Sequence, residues 1–371
     1  MKVIIKKIFL ITLFTFILIE FFSFLCIKFN VVRDTLPSWV TLHAHEEYTH
    51  WHPKNITFKN IAAQCWVSTV SYNNYGMRGV DNVSLKKKKK RIALLGDSMI
   101  ENIELSDGLD IGSKIKTKIP NYEILNFSAR ATGLADQTDI YNKLVKKFDV
   151  DTIFLFVHYN DLINNSIDGN ASIYHRRYDY QNNQVIEIDK DYQWLKNYNS
   201  KLKYFKRNYS VHLKGTNFYK VYLHVIGILD NKKKTTNVTK VKKKKIKKNK
   251  NDYEPYFEKN KKIYEFLKDK FISDMEPNQN LYVILNIFPF SFVDNDKLSE
   301  EEKFIKKKVM PFLQKTWSDV NFIYPLDYAE EYILVNKLKY PYFSWDCDKH
   351  YSINGSEFIS DLVHKKINMF N

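Results

Sequence analysis

Three short runs of apolar, β-forming residues set the tightest limit on what this chain can fold into. They are Arg91–Leu95, Tyr122–Phe127 and Asp151–Val157. Runs of this length bounded by polar residues match buried strands, because helices need longer periodic segments. Between them lie two helical patterns. Leu109–Ile119 stops at Pro120, and Asp136–Phe148 carries Ile140, Leu144, Val145 and Phe148 at helical spacing. Strands alternating with helices predict a parallel sheet covered on both faces. The alternation breaks over 163–280, which is polar, Tyr-rich and Lys-rich and reads as an insertion. It resumes with a strand at Leu281–Phe288, a helix at Glu300–Leu313 with Pro311 near its end, a strand at Val320–Tyr324 and an amphipathic helix at Ser356–Met369. One α/β domain over 91–371, split by an insertion, is the expected organisation.

The N-terminus has a different solvent. Lys2, Lys6 and Lys7 precede an apolar stretch from Ile8 to Ile27. About 20 apolar residues in a helix span a bilayer core. Glu20 within the stretch is costly there unless it faces a partner or water. No small-residue cleavage site follows, so residues 1–29 read as an uncleaved signal anchor. The basic flank predicts a cytoplasmic N-terminus, with the rest of this single-pass chain in the periplasm or at the cell surface. Residues 30–90 form a membrane-proximal segment. In an oxidising compartment Cys65 and Cys347 could pair, although sequence cannot bring them together.

The net charge of +16 suggests nucleic-acid binding until its distribution is read. Lys86–Arg91 is an unbroken basic run, and eleven lysines with no acid lie between Asn231 and Lys250. These tracts hold 17 positive charges, so the rest of the chain nets −1. The fold itself is close to neutral, and no nucleic-acid partner is expected. Solvated runs are the simplest reading of the tracts, with contact to anionic lipid headgroups or acidic glycans as the rival.

In open parallel sheets, functional groups collect beyond the carboxyl ends of strands. Here those ends carry Gly96-Asp97-Ser98, then Asn126-Phe127-Ser128 followed by Ala131 and Gly133, then His158-Tyr159-Asn160-Asp161. Asp346-Cys347-Asp348-Lys349-His350 precedes the last helix. A serine hydroxyl becomes a useful nucleophile only when a base takes its proton. Imidazole can do so, with a carboxylate fixing its tautomer. Acyl transfer also needs donors aimed at the developing oxyanion.

In this order the blocks "IALLGDS", "NFSARATG", "HYND" and "DKHYSINGS" resemble those of the SGNH/GDSL hydrolase superfamily, and "NNYGMRG" (73–79) resembles a lead-in of its envelope-anchored members. The resemblance covers about 70–165 and 280–371. It implies a flavodoxin-like three-layer α/β/α sandwich and a serine esterase or O-acyltransferase without cofactor or metal. It implies Ser98 as nucleophile, His350 as base, and an oxyanion hole from the Ser98 N–H, a block-two N–H (Ala131 or Gly133) and the Asn160 amide. Asp97, Asp161 and Asp346 are supporting candidates. Three departures stand out. Cys347 occupies the place, three before His350, where an Asp is common, so Asp348 or Asp346 must serve; Asp348 is favoured, since a D-x-H spacing also occurs in the family. Ala131 or Gly133 stands near the usual block-two Gly. His158 replaces a common Gly.

The expected substrate is an acyl ester, O-acetyl above all, on an envelope carbohydrate, with a membrane acyl-donor protein as partner if the reaction is transfer. A lipid esterase or lysophospholipase, and a non-catalytic binding protein on the same fold, are the alternatives. Tyr159, Trp345 and Tyr351 are candidate sugar-stacking rings or simply core and rim. His43, His45, His50 and His52 lie near Glu46 and Glu47, but their spacing is not H-E-x-x-H, so packing or docking is preferred to zinc.

Overall fold

The computed structural model describes residues 2–28, 43–45, 49–62, 65–166, 177–188, 218, 221–222, 253–287 and 289–369. The chain divides into two compact units, 1–41 with 191–247 and 42–190 with 248–371. In the first unit, helix α1 (Lys2–Lys28) contains a 21-residue segment, Lys6–Cys26, of mean hydropathy 2.5. It is long and apolar enough to cross a membrane.

The second unit carries the sheet. Two antiparallel hairpins come first: β1 (His43–His45) with β2 (Thr49–Trp51), and β3 (Ile56–Ala62) with β4 (Trp66–Tyr72). The central strands are β5 (Lys90–Leu95), β6 (Tyr122–Asn126), β7 (Thr152–Val157), β10 (Asn280–Leu285) and β11 (Asn321–Ile323), while β8 (Arg177–Gln181) and β9 (Gln184–Ile188) form a further hairpin. All pairings among the central five are parallel, in the order β6-β5-β7-β10-β11. In chain order that is 2-1-3-4-5, the flavodoxin-like winding, whose switch point lies between β5 and β7.

Side-chain alternation builds the three layers. Ile92, Leu94, Phe154, Phe156, Tyr282 and Ile284 point to one face. That face is covered by α3 (Ile111–Lys118), α9 (Leu326–Asn336) and α10 (Ile353–Asn368). Ala93, Leu95, Ile153, Leu155, Val283 and Leu285 point to the other, covered by α4 (Leu134–Lys143), α6 (Tyr253–Asp274), and the helix formed by α7 (Glu300–Phe304), a π turn (Ile305–Val309) and α8 (Met310–Thr316). Pro311 lacks the N–H an α-helix would direct at the carbonyl of residue 307, and the wider π turn just before it accommodates that loss. The helix therefore runs three residues past the expected end at Leu313.

Helix α6 lies inside the stretch whose weak periodicity suggested no element. Its buried stripe is Phe257, Tyr264, Leu267 and Phe271, interrupted by Asn260 and Lys268, which are themselves buried. Those two polar residues hide the helical period from a hydropathy reading. In the first lysine tract Lys86, Lys88, Lys89 and Lys90 are exposed, as expected of a solvated run, but its last residue differs. Arg91 is fully buried, donating to Glu123 Oε2 (2.6 Å) and to the carbonyls of Ser84, Leu85 and Phe148. Lys87 binds Asp151 at 2.8 Å, and Lys89 caps the Pro120 carbonyl at 2.8 Å. Buried carbonyls need donors, and Arg91 supplies them. The tract at 231–250 lies outside the described residues.

The β3–β4 hairpin is braced at both ends. Asn60 Nδ2 and Ser68 Oγ donate to the Ile103 carbonyl, and the Ser71 backbone N–H and hydroxyl both donate to Asp107. At its turn, Cys65 is disulfide-bonded to Cys347.

Candidate active site

Leu95 of β5 pairs with Leu155 of β7, so the loops after these two strands leave the sheet side by side at the switch point. Gly96 follows β5. A Cβ there would meet Ile100 Cγ1 at 2.9 Å and Phe156 Cβ at 3.1 Å, which is why the turn needs glycine. Asp97 is buried and caps the short helix α2 (Ser98–Glu101), its Oδ1 accepting the Met99 N–H at 2.9 Å. This presents Ser98, half-buried, as the first residue of α2.

His350 arrives from the far end of the chain on β13 (Asp348–Tyr351), the partner of β12 (Ser344–Trp345). Its Nε2 lies 2.8 Å from Ser98 Oγ. Its Nδ1 is hydrogen-bonded to Asp348 Oδ1, which also accepts the His350 backbone N–H at 2.8 Å. The Asp348 carboxylate therefore fixes both ring and backbone. Asp346 is exposed, and among the described contacts it makes none with His350. Burial works against charge on His350, but the Asp348 hydrogen bond and the negative charges of Glu104, Asp348 and Asp97 prevail and push its pKa up to about 9. Burial also opposes charge on Asp348, yet the hydrogen bonds from His350 hold its carboxyl below the usual range.

The block-three residues divide. Asp161 is buried and ties the turn after β7 by accepting the His158 N–H at 2.8 Å. Burial and the Asp97 charge push its pKa well up, so it is a structural acid. His158 Nδ1 lies 2.5 Å from Asn160 Oδ1. The Asn160 backbone N–H also reaches Nδ1, at 3.3 Å, and burial keeps His158 below the ordinary imidazole range despite Asp97. The residue standing in place of the usual Gly thus orients the Asn160 amide.

The two block-two candidates also separate. Gly133 N–H donates to Asp136 Oδ2 at 3.0 Å as the cap of α4, so it is committed elsewhere. Its lack of a Cβ serves packing, since one would meet Asn165 Oδ1 at 2.3 Å. Ala131 instead sits exposed at a left-handed φ of 61°. That conformation is disfavoured for alanine and must be held by its surroundings. The Arg130 N–H donates to Glu101 Oε2 at 2.6 Å, and Thr132 Oγ1 donates to the carbonyls of Ala129 and Gly96.

No family model matches the sequence, and no curated protein matches it. Solved structures similar to the chain include an alpha/beta hydrolase enzyme from the metagenome of Lake Arreo, Spain, at 8% identity and TM-score 0.40, over 78% of this chain and 100% of that one. Another is the lipase/acylhydrolase from Enterococcus faecalis, at 12% identity and TM-score 0.37, over 76% and 96%. A third is an acetyl xylan esterase from Geobacillus stearothermophilus, at 10% identity and TM-score 0.37, over 76% and 97%.

Beneath the site lies a buried polar cluster that motif reading missed. Glu101 accepts from Arg130 Nη2 (2.6 Å), Arg130 Nε (3.1 Å) and the Tyr72 hydroxyl, and His52 Nε2 lies 3.1 Å away. Burial alone would raise the Glu101 pKa, but Arg130 and His52 hold it well below the usual range. His52 stacks on Tyr72 with ring centroids 4.1 Å apart, which gives it a packing role. The side chains of His43, His45 and His50, and residues Glu46 and Glu47, lie outside the described residues. No metal-binding group of His, Cys, Asp and Glu occurs among the described residues. Tyr351, a candidate stacking ring, is instead core: it is 1% exposed and its hydroxyl donates to Asn286 Oδ1 and accepts the Ile287 N–H. One sequence signal did point to the cluster: Glu101 lies three residues after Ser98, on the same short helix.

Proposed function

We propose that this chain is a serine ester hydrolase or O-acyltransferase of the SGNH/GDSL type. The observation that carries the proposal is the relay from Ser98 Oγ through the His350 imidazole to Asp348, standing at the switch point of a 2-1-3-4-5 sheet. Ser98 Oγ attacks the ester carbonyl while His350 Nε2 takes its proton. The oxyanion is received by the Ser98 N–H, the Ala131 N–H and the Asn160 amide. His350 then hands the proton to the departing alkoxide, leaving an acyl group on Ser98. Water, or an acceptor hydroxyl in transfer, resolves that intermediate by the reverse proton path. A binding protein that merely retained the fold has no need for a hydrogen-bonded Ser–His–Asp relay.

The substrate we favour is an O-acetyl ester on an envelope carbohydrate. A cleft of about 430 Å³ beside Asp348 is lined by Phe290, Tyr340 and Trp345 together with Lys297, Glu302 and Lys349. Pro289, Val293, Leu298 and Pro341 complete its apolar side, and the aromatic faces mixed with charged groups suit a sugar ring. The helix α1 as membrane anchor and the Cys65–Cys347 disulfide both support an extracytoplasmic catalytic unit. The test is fluorophosphonate labelling and p-nitrophenyl acetate turnover by wild type, Ser98→Ala and His350→Ala. Signals lost in both variants are expected; an unlabelled, folded wild type overturns the esterase reading.

A further inference from the structure

Among the buried acids that the mechanism above does not use, Glu104 faces the base. Glu104 is 5% exposed, and its Oε1 lies 3.6 Å from His350 Nδ1, the nitrogen that Asp348 binds. Its Oε2 is buried without a hydrogen-bond partner among the described residues. An unpaired carboxyl oxygen in such a place is destabilising, so its retention calls for a reason. The backbone around it is pinned. Ile103 O accepts from Asn60 and Ser68, Leu105 O accepts from Arg78 Nη2 at 3.0 Å, and Asn102 Nδ2 donates to the carbonyl of Tyr351, the residue after His350. Glu104 is thus fixed relative to the base by contacts on both sides.

We propose that Glu104 is a second positioning carboxylate for His350, sharing Nδ1 with Asp348 and holding the imidazolium that forms when Ser98 loses its proton. The proposal rests on the esterase reading for its purpose, although not for its physics. The charged groups around Glu104 are His350 on β13, Glu101 on α2 and Arg130 on the block-two loop; Asp348 and Asp97 meet it through the same imidazole. Glu101 is already bound to Arg130, Tyr72 and His52. That leaves His350 as the cation within ion-pair reach of Glu104 among the described residues. Burial pushes the Glu104 pKa up while the His350 charge pulls it down, so the two groups titrate as a linked pair.

The test is an NMR titration of the His350 imidazole in the full chain in detergent, for wild type, Glu104→Gln and Glu104→Asp, beside kcat/KM against pH. Removing a carboxylate at this range is expected to lower the His350 pKa by about one unit or more. The shorter Glu104→Asp gives a smaller shift of the same sign, and it serves alone if Glu104→Gln does not fold. The acid limb of kcat/KM moves with the NMR value. Asp348→Ala retains at least about tenfold more turnover than Asp348→Ala with Glu104→Gln, because the second carboxylate still holds the ring. An unmoved His350 pKa in either folded variant overturns the proposal. A wild type without ester turnover, together with a shifted pKa in the variants, would instead count against the esterase reading and leave the Glu104–His350 coupling standing.

Discussion

Raising the pH from about 7 to about 9 tests the electrostatics of the relay directly, because only neutral imidazole can take the Ser98 proton. The surrounding carboxylates push His350 up to about 9. At pH 7 roughly one molecule in a hundred then carries a neutral base, against about half at pH 9. The free-enzyme profile, kcat/KM, should therefore rise roughly tenfold per unit through neutrality and gain about fiftyfold between pH 7 and 9. An unperturbed imidazole near 6.5 would gain less than about twofold over the same interval. The assay is p-nitrophenyl acetate turnover, with Ser98→Ala subtracted at each pH to remove alkaline background. An inflection between about 6 and 7 would refute the reasoning, since it would mean that Asp348 and Glu104 do not hold the imidazolium. The same shift bears on stability. The folded pKa lies above the unfolded one, so His350 contributes stability that is fully present below about 6.5 and lost as pH rises through about 9.

Four further outcomes are expected. Asn160→Ala should lower kcat by about 100- to 1,000-fold with KM little changed, as loss of an oxyanion donor does; an equal rise in KM alone would assign Asn160 to binding instead. Arg130→Met strands the buried Glu101 beside His52 and should destabilise by about 3–5 kcal/mol in urea unfolding, whereas a loss under about 1 kcal/mol would mean that the cluster does not depend on that charge. Gly355→Ala places a Cβ 2.1 Å from the Phe343 carbonyl oxygen, so a loss of about 1–3 kcal/mol or more is expected from thermal melts, and an unchanged Tm would show that β12 and α10 can separate freely. Cys65→Ser with Cys347→Ser should cost about 2–5 kcal/mol and lower turnover together with Tm, and reductant should reproduce both effects on wild type alone.

The sheet was legible because its strands are buried on both faces and read as continuous apolar runs. The relay was legible because Ser98 and His350 sit in local patterns whose chemistry needs those residue types. The choice between Asp346 and Asp348 was narrowed but not closed by sequence, since two or four residues of spacing both permit contact until the turn of β13 is known. Gly133 misled for a related reason: glycine suits both an open N–H and a tight helix approach, and only the Asp136 and Asn165 contacts tell them apart. Glu104 was invisible, because a carboxylate in sequence gives no sign of burial or of its facing charge, and Glu101 was signalled only by its place three residues after Ser98. Helix α6 was hidden by Asn260 and Lys268 on its inner stripe. The Cys65–Cys347 pairing joins positions 282 residues apart, a proximity no local pattern encodes.

The β3–β4 hairpin separates two design tasks. The sheet determines where the loops after β5 and β7 begin, through the register of those strands. The hairpin holds two other segments, gripping the Ile103 carbonyl at one side and Cys347 at the other. It behaves as a detachable bracket on a fixed chassis. Exchanging its turn or its length would act on the segments carrying Glu104 and Asp348–His350 together, without changing the sequence of any central strand.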